Sequence, residues 1–356
     1  MQNLINEAPA KKNYDFIDAI RCLSMIAIVA EHSMGAGGYT FAYGIPKYWA
    51  YITLLQVAKF GTISFFLLAG FLISEKFTDY TPAQYLKRRI STTFGPWLFW
   101  TFVYVIAMII TLRIKERIYH NGDFNLTNIL NNVKIIYLYS NYWFIINFLV
   151  SISILLVFRK YLYSWWLGFI LGLFSLFYAI NIHLEWVSPK HTTAILGFVF
   201  FLWLGAQMRK HMDAVENFAK RLSYPLWLIL LTVTYSLSIY EINVLNGKSI
   251  DPVNTLRISN ILFSLVCFML LFKIKSFRAV SYLKPRQTTF GIYLIHYLVL
   301  IFLLPEIFIH FTINVNELNI PQYLLLKLIT FLLTYGITLA MVLGISNSPV
   351  KKLVGN

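Results

Sequence analysis

Ten long apolar runs, separated by short polar segments, dominate this chain of 356 residues. About 20 consecutive apolar residues are enough for an α-helix to cross the hydrocarbon core of a bilayer. Within that core a helix satisfies all of its own backbone hydrogen bonds. The sequence therefore predicts an all-α, polytopic transmembrane bundle of about ten helices. The runs lie near 16–34, 51–74, 91–112, 137–158, 162–181, 193–208, 223–240, 255–272, 288–310 and 322–345.

The composition excludes several function classes. Only 13% of the residues are charged, compared with roughly 25% in a water-soluble domain. The net charge of +15 does not indicate nucleic-acid binding, because the basic residues form short clusters between apolar runs instead of a basic face. Cys22 and Cys267 both lie inside apolar runs, so neither a structural disulfide nor a thiolate metal site is predicted. The histidines show no metal-ligand spacing, and we predict no metal.

The basic residues also predict the orientation of the chain. Lys and Arg are enriched in cytoplasmic loops. With a cytoplasmic N-terminus, nineteen basic residues fall on the cytoplasmic side and seven on the opposite side. Both termini are then cytoplasmic, and the first run is interpreted as an uncleaved helix instead of a signal peptide. The outer loop predicted at 113–134 is unusual, since it carries most of the seven basic residues on the outer side.

Four ionisable residues lie in the first run: Asp18, Arg21, Glu31 and His32. Such residues are costly inside a membrane and indicate function by default. Arg21 and His32 are three helical turns apart, on one face and about 16 Å from each other along the axis. Asp18 can pair with Arg21 across one turn, whereas Glu31 is rotated by roughly 100° from His32 and need not share its site.

Two interpretations of this first helix stay open. In the structural one, Arg21 reaches the membrane interface with Asp18 as its partner, and His32 bonds to a backbone carbonyl. In the functional one, Arg21 and His32 line a cavity that crosses the bilayer. A neutral histidine with a pKa near working pH would suit proton transfer there.

A second polar cluster lies at the start of the third run. Arg88 and Arg89 follow Lys87 there, and the arginine fork suits phosphate groups. Three basic residues at a cytoplasmic helix end are also ordinary orientation signals. Further along the chain, Tyr293 and His296 share one helix face, either as interface anchors or as site residues.

These segments, in this order, resemble the acyltransferase-3 family of bacterial membrane acyltransferases. The resemblance covers nearly the whole chain. It rests on an Asp-x-x-Arg start to the first helix with a histidine eleven residues after the arginine, and on four later elements. The matching residues are Asp18, Arg21 and His32; Phe65 to Ile73; Arg88, Arg89 and Pro96; Trp143 and Phe144; and Tyr293 to His296.

The resemblance implies a single membrane domain over residues 1–356, without a fused extracytoplasmic domain, in the inner or plasma membrane of a bacterium. It implies O-acylation, most simply O-acetylation, of a hydroxyl on a cell-envelope glycan or its lipid-linked precursor. The donor would be cytoplasmic acyl-CoA, used as a substrate, with no permanently bound cofactor. A glycan or glycolipid transporter or flippase remains an alternative, as does a catalytically silent relative.

The resemblance also implies roles for individual residues. Arg88 and Arg89 would hold the phosphates of the donor. Arg21 would lie just inside the entrance of the cavity that crosses the bilayer. His32 would act as general base or as a transient acyl carrier, and Glu31 or Tyr293 would assist it. Tyr293 and His296 are further expected contacts of the donor.

The topology is tested with reporter fusions. Fusions at residues 80 and 280 are expected to report a cytoplasmic location, and fusions near 120 and 250 an external one, because of the nineteen-to-seven distribution of basic residues. An external signal at 280 would reverse the orientation and with it the side from which the donor enters.

Overall fold

The computed structural model describes residues 15–35, 42–76, 80–120, 122–311 and 313–356. Every regular element in these ranges is helical, as the sequence predicted. Two π-helical segments, Ile90–Phe94 and Val299–Leu303, interrupt the α-helical structure. The α-helices are α1 Asp15–Gly35, α2 Pro46–Ala58, α3 Gly61–Lys76, α4 Pro82–Arg89, α5 Gly95–Tyr119, α6 Leu126–Tyr139, α7 Trp143–Val157, α8 Trp165–Leu184, α9 Ile195–Lys210, α10 Met212–Arg221, α11 Tyr224–Leu245, α12 Ile258–Ile274, α13 Arg278–Tyr282, α14 Pro285–Leu298, α15 Leu304–Phe308 and α16 Ile320–Ser346.

Each of the ten predicted runs coincides with helical structure, but fewer helices meet the requirements for a span. Within the described residues, six helical stretches are long and apolar enough to cross a membrane, or seven if the bent pair α6 and α7 forms one span. Of the others, α9 and α12 have only 16 and 17 residues, and α1 carries several charged residues. The protein is therefore a multi-pass membrane protein. Ten crossings and cytoplasmic termini stay predictions.

The outer loop predicted at 113–134 contains helical structure at both ends, since α6 already begins at Leu126. The helix α5 continues to Tyr119, and its last turns carry Arg113 and two further basic residues. Long unbranched side chains of this kind favour helix over loop. Arg113 also lies over the ring of Phe124, at 4.9 Å from its centroid. The helix ends at His120, which adopts a left-handed conformation with φ of 49°.

The helices α3 and α9 form the most closely packed pair in the interior. A Cβ atom on Gly70 would collide with the carbonyl oxygen of Leu202, and one on Gly205 would collide with the carbonyl oxygen of Leu67. Small residues allow helix backbones to approach closely inside a membrane. The two glycines therefore allow this close packing, and α1 packs against α3.

The helices α6 and α7 meet at a bend of 51°. Three hydrogen bonds fasten this bend to α14: Tyr142 Oη donates to the carbonyl of Leu294 at 2.7 Å, Tyr293 Oη donates to the carbonyl of Asn141, and Asn141 Nδ2 donates to the carbonyl of Tyr293 at 3.4 Å. A break in a span exposes backbone polar groups, which must find partners inside the protein. Tyr293 supplies one for the carbonyl of Asn141, and these bonds hold the start of α7 close to α14.

Candidate active site

The helices α1 and α14 lie side by side and run in the same direction. Asp18 on α1 contacts Arg286 on α14, and further along both helices His32 contacts His296. Together the two helices form a shared wall for two cavities. One lies at the Arg21 end of α1 and the other at the His32 end.

The first, which we call the arginine cavity, has a volume of about 300 Å³ and is lined by Arg21, Arg89 and Arg286. Asp18 bridges two of these arginines. It accepts from Arg21 at 3.3 Å and from Nε of Arg286 at 2.8 Å. Three guanidinium groups and a single bridging carboxylate give the surroundings of this cavity a net positive charge. The planar guanidinium group of arginine suits phosphate.

The segment that follows Arg89 also faces the arginine cavity. Thr92 and Thr93 line it from the π-helical segment between α4 and α5. Such segments occur frequently at functional sites, because their wider turns change the direction in which side chains point. The two threonine side chains add hydroxyl groups beside the arginines.

The structure separates the two arginines that the sequence had paired. Arg89 lines the cavity and donates to Tyr85 Oη at 2.8 Å. Arg88 does not line it. The Arg88 side chain is exposed and donates instead to Tyr80 Oη at 2.8 Å. Adjacent residues on a helix differ by about 100° in direction, so the neighbouring positions face different surroundings.

Aromatic side chains form the deep wall of the arginine cavity. Phe65, Phe144 and Tyr293 line it, and the rings of Phe144 and Tyr293 are 5.5 Å apart. Tyr293 is buried, and its hydroxyl is engaged with the Asn141 carbonyl. The cavity thus has a charged entrance and an apolar interior, which suits a long ligand with a phosphate-bearing end.

The second, which we call the histidine cavity, has a volume of about 580 Å³ and is lined by Glu31, His32 and Lys59 among others. The sequence left open whether Glu31 shares the site of His32, and the structure places both on this cavity. Glu31 pairs with Lys59 at 2.7 Å. The cavity therefore presents an imidazole and a buried ion pair to whatever occupies it.

The two cavities approach each other closely. On α1, Ile28 lines the arginine cavity and Glu31 lines the histidine cavity, which is a rise of about 4.5 Å along the helix. On α14, Tyr293 lines the arginine cavity and Tyr297 lines the histidine cavity. His296 lies between these two tyrosines and is completely buried.

A hydrogen bond joins His32 and His296 at this junction. His32 Nδ1 lies 2.8 Å from His296 Nε2, and His296 Nδ1 lies 2.9 Å from the carbonyl oxygen of Ile292. A carbonyl only accepts, so His296 Nδ1 carries a proton. Burial disfavours a charged imidazole without a carboxylate partner, so His296 Nε2 accepts and His32 Nδ1 donates to it.

This chain of hydrogen bonds determines which atom of His32 is basic. With its proton on Nδ1, a neutral His32 keeps a lone pair on Nε2. No side chain or carbonyl in the described part of the protein bonds to that Nε2. The arrangement gives His32 one fixed orientation and one nitrogen able to take a proton.

Sequence reasoning did not single out Lys59, although a lone lysine inside an apolar run is a recognised signal. It lies at the break between α2 and α3, where its backbone N–H bonds to the Gln56 carbonyl. Gln56 also bonds to Asn260 at 2.9 Å and to the fully buried Arg257 at 2.7 Å. This polar network holds the end of α2, and with it Lys59, against the neighbouring helices.

Arg286 was also missed, because sequence reasoning counted it only as an orientation signal. Its partner Asp18 lies 268 positions earlier in the chain, and nothing in the local sequence indicates that contact. Concerning metals, no group of three His, Cys, Asp or Glu side chains suited to an ion occurs within the residues that the structure describes.

A family model described as an acyltransferase domain matches residues 14–339. The chain belongs to the acyltransferase-3 family. It is therefore a membrane acyltransferase, as the ordered motifs had indicated. Comparisons with curated proteins and with solved structures returned no match. Within this acyltransferase, the family motifs on α1 and α14 converge at the His32–His296 contact.

The hydrogen-bond chain predicts the tautomers of both histidines. In ¹⁵N solid-state NMR of the acyltransferase in lipid, His32 and His296 are each expected as the Nδ1-protonated form, because each donates from Nδ1. The His296→Leu variant removes the acceptor, and His32 should then populate both tautomers. His310→Leu, on an exposed histidine, is the control and should leave the His32 signal unchanged. A protonated Nε2 on His32 in the wild type would contradict the assignment.

Proposed function

We propose that this acyltransferase moves an acyl group, most simply acetyl, from cytoplasmic acyl-CoA to a hydroxyl of a cell-envelope glycan or its lipid-linked precursor. The proposal places it in the inner or plasma membrane of a bacterium. The observation that supports it most directly is the position of His32. It lines a cavity that holds no arginine among its described lining, about one helical turn along α1 from a cavity lined by arginines.

The arginine cavity suits part of an acyl-CoA donor: its arginines suit the phosphates and its aromatic wall suits the pantetheine arm. Arg21, Arg89 and Arg286 would contact the phosphates, and the pantetheine arm would lie along the aromatic wall toward His32. The rise of about 16 Å between Arg21 and His32 requires an extended arm of this kind. Tyr293 would contact the arm. No cofactor is permanently held in this proposal, since the donor enters and leaves as a substrate.

The histidine cavity would hold the acceptor. His32 Nε2 takes the proton of the acceptor hydroxyl while the hydroxyl oxygen attacks the thioester carbonyl. The carbon–sulfur bond then breaks, and the proton on Nε2 passes to the departing thiolate, which leaves as free CoA. His296 keeps its bond to His32 Nδ1 throughout and so acts as a positioning residue. Covalent transfer through His32 itself is the second route that the same geometry allows.

The ion pair of Glu31 and Lys59 supplies the polar surroundings of the acceptor. Both side chains line the cavity beside His32, and their bond of 2.7 Å keeps the carboxylate of Glu31 engaged. Glu31 therefore supports the acceptor site through Lys59 in this proposal. The ammonium group of Lys59 is placed to attract oxygen atoms of a hydroxylated acceptor.

Arg89 and Arg88 form a matched pair of test positions. Arg89→Gln should raise the KM for acetyl-CoA by about tenfold, because a charge-assisted contact contributes about 1.5–3 kcal/mol. Arg88→Gln removes the same charge one residue away, outside the cavity, and should change KM by less than about twofold. An equal effect of both substitutions would support the phosphate-binding role that the sequence assigned to Arg88. It would contradict the assignment of donor binding to Arg89 alone of the two.

Transfer of label from acetyl-CoA to a cell-envelope extract tests the function itself. Purified wild-type protein should transfer label, and His32→Ala should lower the rate by about 10²- to 10⁴-fold, the usual contribution of a general base. Binding of donor without turnover in the wild type would favour the transporter instead.

His32→Gln separates catalysis from structure in the same assay. Glutamine keeps a hydrogen bond to His296 but takes no proton at neutral pH. A rate above about a tenth of the wild-type value in this variant would assign His32 a structural role. His296→Leu should lower kcat while leaving the KM for acetyl-CoA unchanged, because it acts only through the orientation of His32.

A further inference from the structure

A further cavity adjoins the arginine cavity and shares Arg286 with it. It is formed by the first turns of α1, by α13 with the residues just before it, and by the start of α14, and its volume is about 440 Å³. Asp18 in its lining is about 21 Å along α1 from His32. The cavity therefore lies on the side of the arginine cavity that is away from His32, and we call it the α13–α14 cavity.

The nucleotide end of an acyl-CoA donor needs space outside the arginine cavity. The volume of that cavity, about 300 Å³, is at the lower limit of the range of about 300–1,000 Å³ for small-molecule pockets. Beyond its pantetheine arm and diphosphate, acyl-CoA carries an adenosine with a further phosphate on the 3′ oxygen. If the arm lies along the aromatic wall toward His32, the adenosine lies at the opposite end, where the α13–α14 cavity begins.

The lining of the α13–α14 cavity combines an aromatic ring with positive charge. Phe277 lines it just before α13 and is 38% exposed. Accessible aromatic rings are surfaces on which nucleobases stack. Lys284 lines it at the start of α14 and is also exposed. Asp18 is the single carboxylate among the described lining residues, and it is already paired with Arg21 and Arg286. The ammonium group of Lys284 is therefore available to an anionic ligand.

The backbone around Lys284 is held in an uncommon conformation. Its φ of 47° lies in the left-handed region, which few residues other than glycine adopt. Thr288 Oγ1 fixes this turn by donating to the carbonyls of Leu283 at 2.7 Å and Lys284 at 3.1 Å. Asn356 Nδ2 donates to the carbonyl of Gln287 at 2.9 Å. Such conformations persist where the surrounding structure maintains them, so the position of Lys284 beside the cavity is well defined.

We propose that the α13–α14 cavity binds the 3′-phosphoadenosine end of the acyl-CoA donor, with the adenine stacked on Phe277 and the 3′-phosphate in contact with Lys284. The inference rests on the proposed function. The diphosphate then lies near Arg286, which both cavities share, and the arm extends through the arginine cavity toward His32. This site distinguishes acyl-CoA from a donor that carries the same arm without the nucleotide, such as a phosphopantetheine on a carrier protein.

Binding of adenosine 3′,5′-bisphosphate tests the site without any acyl group. In calorimetry on the full-length protein in lipid nanodiscs, the wild type should bind it at least about fivefold more tightly than adenosine 5′-monophosphate, which lacks the 3′ charge. Lys284→Met should abolish this preference, and Lys284→Arg should retain it. Lys160→Met removes an equal charge at an exposed position outside the cavity. It is the matched control and should keep the preference.

Phe277→Leu tests the stacking separately. It keeps an apolar side chain but removes the ring, and should weaken binding of adenosine 3′,5′-bisphosphate by at least about fivefold, because base stacking on an aromatic side chain is lost. Phe277→Tyr should bind as the wild type does. Tyr282→Leu removes an exposed ring from α13 that does not line the cavity, and it should leave binding unchanged.

Equal affinity of the wild type for the two nucleotides would overturn the proposal, and this comparison does not depend on any variant folding. An equal loss of binding in Lys160→Met and Lys284→Met would likewise exclude a specific contact with Lys284. An equal loss in Tyr282→Leu and Phe277→Leu would exclude stacking on Phe277.

A comparison of donors separates this inference from the proposed function. The KM of the wild type for acetyl-CoA should be at least about fivefold lower than that for acetyl-dephospho-CoA, which lacks only the 3′-phosphate. Lys284→Met should bring the two values together by raising the first. Equal KM values in a wild type that transfers label would refute the nucleotide site and leave the acyltransferase reaction in place. Selective binding of adenosine 3′,5′-bisphosphate by a wild type that transfers no label would refute the proposed reaction instead.

Discussion

The hydrogen bond between His32 and His296 connects the two helices that organise this protein. It lies where α1 and α14 pack against each other, between the arginine cavity and the histidine cavity. Two imidazoles inside a membrane protein require partners, because an unsatisfied buried polar group costs about 1–3 kcal/mol. His32 Nδ1 donates to His296 Nε2, and His296 Nδ1 donates to the carbonyl of Ile292. The same requirement that holds the helices in register leaves one nitrogen of His32 available.

The surrounding structure maintains that arrangement with other polar contacts. Asp18 bridges Arg21 and Arg286 at one end of the helix pair, and the Glu31–Lys59 ion pair lies at the other. Hydrophobicity does not distinguish one helix partner from another inside lipid, so close backbone packing and polar contacts decide the assembly. Gly70 and Gly205 allow close backbone packing between α3 and α9. The polar groups that line the candidate site therefore also join the helices.

The division into an arginine cavity and a histidine cavity suits transfer between two compartments. Under the proposed function, the arginines at one end would hold the phosphates of the donor, and the Glu31–Lys59 ion pair at the other would face the acceptor. In the proposed reaction neither substrate would need to cross the bilayer completely, because Ile28 lines one cavity and Glu31, about one helical turn away, lines the other. The reaction then requires that only the thioester reach the junction at His32.

The sequence alone determined the helical class, the membrane location and the face that Arg21 and His32 share. These properties follow from hydrophobic run length and from the 3.6-residue period of a helix, both of which are local. Local periodicity also identified His296 as a polar residue on α14, but not its role. Only the tertiary structure decided that His296 bonds to His32, 264 positions away, and that Arg286 and Lys59 join the cavities. It also decided that Arg89 faces inward and Arg88 does not. A helix period defines a face relative to its own axis, whereas the partner of that face depends on which helix packs against it.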